Sequence, residues 1–413
     1  FFIDGLKTDK LGKITVEAVL TSCLWLNKNT RNRSSAWDVL GFVEDQKLFR
    51  DSRMYIRDEK AQDYHDMMSH IFKEFKQIYD CGGMKVNLDF RHCGGQNLGE
   101  YVLIPVIQYI IGDCKGNDLL CGRMAGHSLK MKGACRDCFI SPPNLDYIPD
   151  DNEQLICKFI TQEDIEGKEK AYLKSKSFLG ISNAFCHLSF GGCDRGIWGA
   201  TPVEILHAVQ LGLCEYLCES FEHFIFPNSA FNDIMSKTAS GIAVDSQRQS
   251  ERDMPSLSPF RYGLVSISSL KATERFARVF SIFLTLSNTH CSKALMKQPT
   301  KTDRKVKFSL DKLRALFSTV EELLIYHQWL KEDKYQKSDF VDCDDGTLCR
   351  AMCRVLCFMK KFKKHLPRSG NCLKTPIKFH QMLHIVDYIK RFGAPSNWDG
   401  SCGEHFGKTL VKD

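Results

Sequence analysis

The sequence predicts a mixed α/β domain that carries a large, mainly helical insertion. Three observations predict it: strand-like and helix-like segments alternate up to residue 111, helical periodicity takes over beyond about residue 150, and the acidic chemistry near residue 4 returns near residue 400. Phe1-Phe2-Ile3 is a short apolar run that stops at Asp4-Gly5. Ile14–Leu20 and Trp37–Val43 are rich in β-branched and aromatic residues and read as two further strands. From Ala61 to Tyr79, apolar residues at Tyr64, Met67, Met68, Ile71, Phe72, Phe75 and Ile78 have the spacing of one helix, which Cys81-Gly82-Gly83 stops. Met84–Phe90 and Tyr101–Ile111 read as strands again, the second running into Gly112-Asp113.

Pro142-Pro143, Pro149 and Asp150-Asp151-Asn152-Glu153 mark a boundary. The chain is therefore divided into 1–150, an α/β core; 151–374, a mainly helical insertion; and 375–413, the return of the core. Within the insertion Glu204–Phe226, Ala272–Thr289, Leu310–Leu330 and Leu348–Leu366 have helical periodicity, and the Ser-rich stretch Thr238–Pro259 reads as a loop. Lys297, Lys301, Arg304, Lys305 and Lys307 form a basic loop, either a solvated face or a set of contacts to nucleic-acid phosphates. Pro376–Phe392 is a helix with His380, His384 and Tyr388 four apart on one face, ended by Gly393-Ala394-Pro395. Glu404 opens a final helix.

A chain of 413 residues has room for two or three domains. Its net charge of +7 and pI near 8.5 fit a nucleic-acid partner without establishing one. No run is long and apolar enough to span a bilayer, and there is no secretory signal, so no membrane partner is expected. Without an initiator Met, and with acidic clusters close to both ends, the chain reads as a fragment of a longer open reading frame. Nineteen cysteines, an odd number in a long chain, read as reduced thiols, a subset of them binding metal. Cys214, Cys218, Cys353 and Cys357 lie at helical spacing among apolar residues and are expected in the core.

Two constellations carry chemistry. Asp4, Asp113 and the segment Ser396–Phe406 with Glu404 supply carboxylates at strand ends and a late helix start, the hard oxygen ligands that paired Mg²⁺ ions need. The alternatives are Asp9 for Asp4, Asp118 for Asp113 and Asp399 for Glu404; Asp118, after Lys115-Gly116-Asn117, reads as a loop residue. The second is Cys135-Arg136-Asp137-Cys138, a zinc half-site that two further ligands complete. Cys121 with His127 is the local pair; His380 with His384 is the distant one, unless those two are simply core histidines. A redox motif would need a thioredoxin-like setting, which the flanking sequence lacks.

In order along the chain, Phe2-Ile3-Asp4-Gly5 with Asp9-Lys10-Leu11-Gly12-Lys13, Ile110-Ile111-Gly112-Asp113 with Asp118–Arg123, Cys135–Cys138, Gly199–His207 and Asn397-Trp398-Asp399-Gly400 leading to Glu404 resemble the catalytic core of eukaryotic DDE transposases, nearest the CACTA-like group and the fungal Plavaka elements. The resemblance implies an RNase H-like fold with Asp4, Asp113 and Glu404 as catalytic ligands of two Mg²⁺ or Mn²⁺ ions, and a helical insertion before the Glu-bearing helix. It implies DNA strand cleavage and strand transfer in cut-and-paste transposition, with transposon ends and target DNA as partners, a homodimer on DNA and a nuclear location. An inactive or domesticated DNA-binding derivative is the alternative. The resemblance extends to the V(D)J recombinase, where a C-x-x-C after the second Asp and two His before the Glu share one zinc; this favours Cys135, Cys138, His380 and His384 as structural Zn²⁺ ligands over Cys121 and His127. It also places Glu204 and His207, at the start of a long apolar helix, near the active site, where the residues alone read equally as a capped helix start.

Overall fold

The computed structural model describes residues 1–7, 15–24, 26, 28–44, 57–124, 133–149, 158–191, 194–221, 225, 233–234, 237, 272–297, 308–342, 348–366, 377–400 and 406. Strands β1 (Phe2–Lys7), β2 (Thr15–Ser22) and β3 (Trp37–Glu44) form an antiparallel sheet in the order β1-β2-β3. Successive residues point to opposite faces of a strand, and here both faces are covered. Phe2, Ala18 and Leu20 join one core with the helical part of the chain, whereas Ile3, Val19 and Val43 join another with helix α1 (Arg57–Ile71) and residues 160–200. Burial on both faces explains why β2 reads as a continuous apolar run around Ala18-Val19-Leu20 and not as an alternating one.

The helix expected from Ala61 to Tyr79 is two, α1 and α2 (Lys73–Asp80), with a distortion at Phe72. Phe72 is buried against Phe1 and Phe185, at ring distances of 5.1 and 5.5 Å, so the chain bends to keep it inside. Gly82 and Gly83, both at positive φ, make the expected stop. The single strand expected over Tyr101–Ile111 is also divided. β4 (Met84–Asp89) and β5 (Asn97–Leu103) form a separate two-stranded hairpin. Pro105, which has no N–H to donate, stands just beyond it. Residues 107–111 then return to the main sheet, parallel to β1: Ile3 N–H donates to Ile111 O at 2.9 Å and Ile111 N–H to Phe1 O at 2.8 Å. At Ile107 the same segment bridges Phe190, again parallel.

Helix α3 (Cys114–Leu120) begins directly after Asp113, whose side chain accepts from Gly116 N and caps it. Asp118, expected in a loop, lies inside this helix, buried and paired with Arg123 at 3.1 Å. The helical part begins with a π-helix, Leu206–Leu213, that runs into α4 (Cys214–Ser220). A π-turn shifts the backbone ladder, and Leu211 O is satisfied from outside, by Lys378 Nζ at 3.2 Å and Arg275 Nη1 at 3.3 Å. Helices α5 (Ala272–Ser287), α6 (Leu310–Leu330) and α7 (Arg350–His365) pack around α4 and the π-helix, close to their sequence boundaries. Cys214 and Cys218 are core residues as expected, but Cys353 and Cys357 are exposed. Their spacing of four does place them on one face of α7; it is the solvent face, because Val355, Phe358, Met359 and Phe362 take the buried one.

The C-terminal return is α8 (Ile377–Gln381), a 3₁₀ turn over Met382–His384, and α9 (Ile385–Phe392), closed by Gly393 at φ +78°. The architecture is mixed α/β with a large helical region. Among the described residues no helix is long and apolar enough to cross a membrane. His127, Asp9, Glu404, the Ser-rich stretch and the basic loop beyond Lys297 lie outside the described residues.

Candidate metal centre and the convergence of the acidic segments

Cys135 and Cys138 sit on a tight knuckle that residues 158–160 hold in place: Phe139 N–H donates to Lys158 O at 3.3 Å and Ile160 N–H to Asp137 O at 2.9 Å. His380 and His384 arrive from α8 and the 3₁₀ turn. All four side chains are buried, and their donor atoms lie within 4.8 Å of one another. Cys135 Sγ is 3.5 Å from His384 Nε2, Cys138 Sγ is 3.2 Å from His380 Nε2, and the two Nε2 atoms are 3.2 Å apart. A tetrahedral ion with bonds of about 2.3 Å to sulfur and about 2.0–2.1 Å to nitrogen has S–N edges of about 3.6 Å and N–N edges of about 3.3 Å. The observed edges are close to those values, so this Cys₂His₂ cluster has the geometry of a structural metal-binding site. Burial alone pushes the Cys135 thiol up; hydrogen bonds with Cys138 and the two neighbouring imidazoles outweigh it and hold the pKa well below the ordinary thiol value. A cysteine that favours its thiolate is ready to bind a cation.

Cys121, the local alternative ligand, is buried elsewhere. Its Sγ lies 3.6 Å from Thr201 Oγ1, and burial raises its pKa to about 12, which disfavours the thiolate. The remaining two residues of the knuckle bind its surroundings. Asp137 accepts a short hydrogen bond from the Tyr388 hydroxyl and lies 3.5 Å from Arg195, which also pairs with Asp387 at 3.0 Å. The Arg195 guanidinium stacks 4.1 Å above Phe159, itself against His384. Arg136, fully buried, donates to Thr201 O at 3.1 Å. The sequence signalled Tyr388 through its spacing from His380 and His384. Arg195 gave no signal, because it belongs to none of the motifs, standing four residues ahead of the Gly199–His207 stretch.

The metal centre and α3 are linked on two sides. Cys114 Sγ donates to Gln381 Oε1 at 3.5 Å, and Arg136 and Lys378 are the positive charges that face the Cys114 thiol. Asp118, forced up to about 6 by burial despite Arg123, is occupied by that ion pair. That leaves Asp113 as the available carboxylate on this segment. It is half-buried, its Oδ1 takes the cap hydrogen bond, and Oδ2 takes none from the described residues.

Three segments converge at β1. Phe2 pairs with Ile111 in parallel register, so Asp4 and Asp113 each follow two residues beyond that pair. Past this bridge Asp113 turns away from the strand direction as the N-cap of α3. Gly112 permits the approach: a Cβ there would stand 2.8 Å from Ile3 O and 3.0 Å from Asn117 Oδ1. The third segment is Asn397–Gly400. Asn397 O accepts from the Tyr109 hydroxyl at 2.6 Å, and Trp398, fully buried, donates to Val203 O at 3.3 Å. Gly400 N–H donates to Glu204 Oε1 at 3.2 Å, and a Cβ on Gly400 would touch Phe2 at 3.2 Å. Glu204 also accepts from Leu206 N at 2.8 Å and from His207 N and Nδ1 at 2.7 Å. The carboxylate is thus both the cap of the π-helix and the clamp that holds the segment leading to Glu404. Asp399 lies on this segment ahead of Gly400.

No protein-family model matches the chain, and no curated protein matches it.

His65 illustrates how this core depends on pH. It is fully buried, its Nε2 donating to Leu119 O at 3.0 Å while Nδ1 accepts from Ala184 N at 3.3 Å, an arrangement that only the neutral ring can make. Burial lowers its pKa from 6.5 to about 4. The unfolded chain therefore binds the extra proton first, and the stabilisation present above pH 6.5 is lost as pH falls toward 4. The shift corresponds to about 3 kcal/mol. Urea unfolding of His65→Gln should show a shallower loss between pH 6.5 and 4 than the unsubstituted chain; equal slopes would contradict this.

Proposed function

We propose that the chain is the catalytic core of a CACTA-like or Plavaka-like DDE transposase, with an RNase H-like α/β domain interrupted by a helical insertion, acting in metal-dependent DNA strand cleavage and strand transfer. The observation that supports this reading is the parallel bridge of Ile111 with Phe2 on β1, which Asp4 and Asp113 each follow by two residues. Three antiparallel strands extended on the β1 side by parallel segments are the pattern an RNase H-like sheet requires. The support extends to the third carboxylate: Glu404 follows four residues after Gly400, which touches Phe2, so four residues of chain, at most about 14 Å, separate it from β1.

Asp4, Asp113 and Glu404 would hold two Mg²⁺ or Mn²⁺ ions, for which the free Oδ2 of Asp113 is a suitable hard ligand. When bound, such a pair supplies an activated water or DNA 3′-hydroxyl on one side of the phosphodiester and stabilises the leaving oxygen on the other. The chain's own part is positional. The Gly116 cap fixes the Asp113 rotamer, Gly112 lets it approach β1, and Glu204 with Trp398 fixes the approach to Glu404. Cys135, Cys138, His380 and His384 would suit Zn²⁺ in a structural role, since two cysteines and two histidines would fill all four positions of a tetrahedral site. This site ties the return of the chain to the segment after Asp113. DNA as substrate places the protein in the nucleus.

The test is cleavage of duplex DNA carrying the inverted repeats that flank the source gene. Mg²⁺- or Mn²⁺-dependent nicks that leave a 3′-hydroxyl are expected. Binding of the repeats with no cleavage under either metal would instead mark an inactive DNA-binding derivative.

A further inference from the structure

The hairpin β4–β5 is the part of the chain that its own fold leaves unsupported. No residue of either strand is buried, and among the described residues no third strand or helix packs along either edge. Met84, Phe90, Tyr101 and Val102 are each roughly half exposed, at 47%, 44%, 48% and 55%. An isolated two-stranded hairpin is marginally stable in water, and an unpaired strand edge is a template for another strand.

The sequence of β4 specifies which strand. Met84-Lys85-Val86-Asn87-Leu88-Asp89, followed by Phe90, is complementary to itself when read antiparallel about Asn87. In that register Asn87 faces Asn87 once, on the axis, while Lys85 faces Asp89 of the other copy, Val86 faces Leu88 and Met84 faces Phe90, each of these three pairs occurring twice by symmetry. Opposite charges directly across an antiparallel pair are favourable, and like charges there are unfavourable. Self-pairing of β5 about its centre sets Glu100 against Glu100 and is disfavoured on the same grounds. Among the described residues Asp89 is held by Arg91, through its guanidinium and its backbone N–H, a local contact two residues away that the self-pairing must compete with. We infer that β4 is a homodimerisation edge: two copies of the chain pair β4 to β4 across a two-fold axis at Asn87, making a four-stranded sheet in the order β5-β4-β4-β5. A C₂ contact of this kind is self-complementary and closed. It requires neither DNA nor the transposase reading.

The experiment is sedimentation equilibrium of the chain at low salt, with two charge-reversal variants on β4. The unsubstituted chain should dimerise reversibly. Lys85→Asp alone and Asp89→Lys alone each set like charges in both symmetric pairs and should weaken the dimer about tenfold or more. An equimolar mixture of the two variants restores both opposite-charge pairs in the heterodimer and should recover dimerisation to the original level. Circular dichroism of each variant checks that the fold is kept. A chain that stays monomeric at every concentration, single variants that dimerise as well as the unsubstituted chain, or a mixture that associates no better than either variant alone would each overturn the inference.

Discussion

Cys138→Ser is expected to empty the Cys₂His₂ site and to lower Tm by about 5 °C or more. Loss of a structural metal belongs to the few changes that cost a domain about 4 kcal/mol or more, and in a chain of this size each kcal/mol moves Tm by about 1 °C. The structure explains why the effect is large. The ligands come from segments 242 residues apart, Cys138 and His380, so one ion closes a loop that spans most of the helical region. Without the ion, two buried imidazole Nε2 atoms 3.2 Å apart and a cysteine that favours its thiolate are left to satisfy one another. The knuckle also supplies Asp137 to Tyr388 and Arg195, and Arg136 to Thr201 O, so its release loosens α9 and the start of the helical region together. The checks are metal content by plasma mass spectrometry and Tm by calorimetry. One zinc per chain is expected in the unsubstituted protein and none in Cys138→Ser. A stable protein with no bound metal in both would remove the site from the account.

Asp113→Asn is expected to abolish metal-dependent DNA cleavage, by a factor of about 10³ or more, with Tm unchanged. Asparagine caps a helix as well as aspartate does, so the hydrogen bond from Gly116 N and the start of α3 survive. What is lost is the negative charge on Oδ2, the oxygen free to bind a cation. Removing one essential electrostatic partner of the transition state commonly costs two to three orders of magnitude, and a lost metal ligand costs at least as much. Asp113→Ala is the useful companion, because it also removes the cap and should lower stability by about 1 kcal/mol. Asp118→Asn should behave in the opposite way, lowering stability by leaving Arg123 buried without its partner, since its carboxylate serves that ion pair and not a metal. Cleavage by Asp113→Asn at the unsubstituted rate would show that this carboxylate has no part in the chemistry.

Much of this fold is legible in the sequence, and the misreadings have physical causes. The strand positions of β1, β2 and β3 follow from their β-branched and aromatic runs. α6 and α7 follow from their apolar periodicity, and the Gly82-Gly83 and Gly393 stops from their positive φ. The Cys₂His₂ cluster was legible only through resemblance. Spacing alone left Cys121 open as a ligand, and nothing local says that a thiol near a C-x-x-C is turned toward Thr201 instead. Composition could not separate β5 from residues 107–111, because both are apolar and extended; what parts them is pairing with distant residues, Met84–Asp89 for one and Phe1–Ile3 for the other. Asp118 was misplaced because Gly116 and Asn117 have turn character, which the Asp113 cap and the Arg123 pair override. Cys353 and Cys357 were misplaced because periodicity reports which residues share a face and not which face is buried.

The most direct measurement of the central claim is Fe²⁺-directed backbone cleavage. Iron replaces magnesium in carboxylate sites and, with ascorbate and peroxide, cuts the polypeptide close to where it binds. If Asp4, Asp113 and Glu404 share one site, the fragments should map to cuts near all three positions, excess Mg²⁺ should suppress them together, and Asp113→Asn should remove them together. Cuts confined to a single segment, or cuts near Asp113 that persist in Asp113→Asn, would contradict the account.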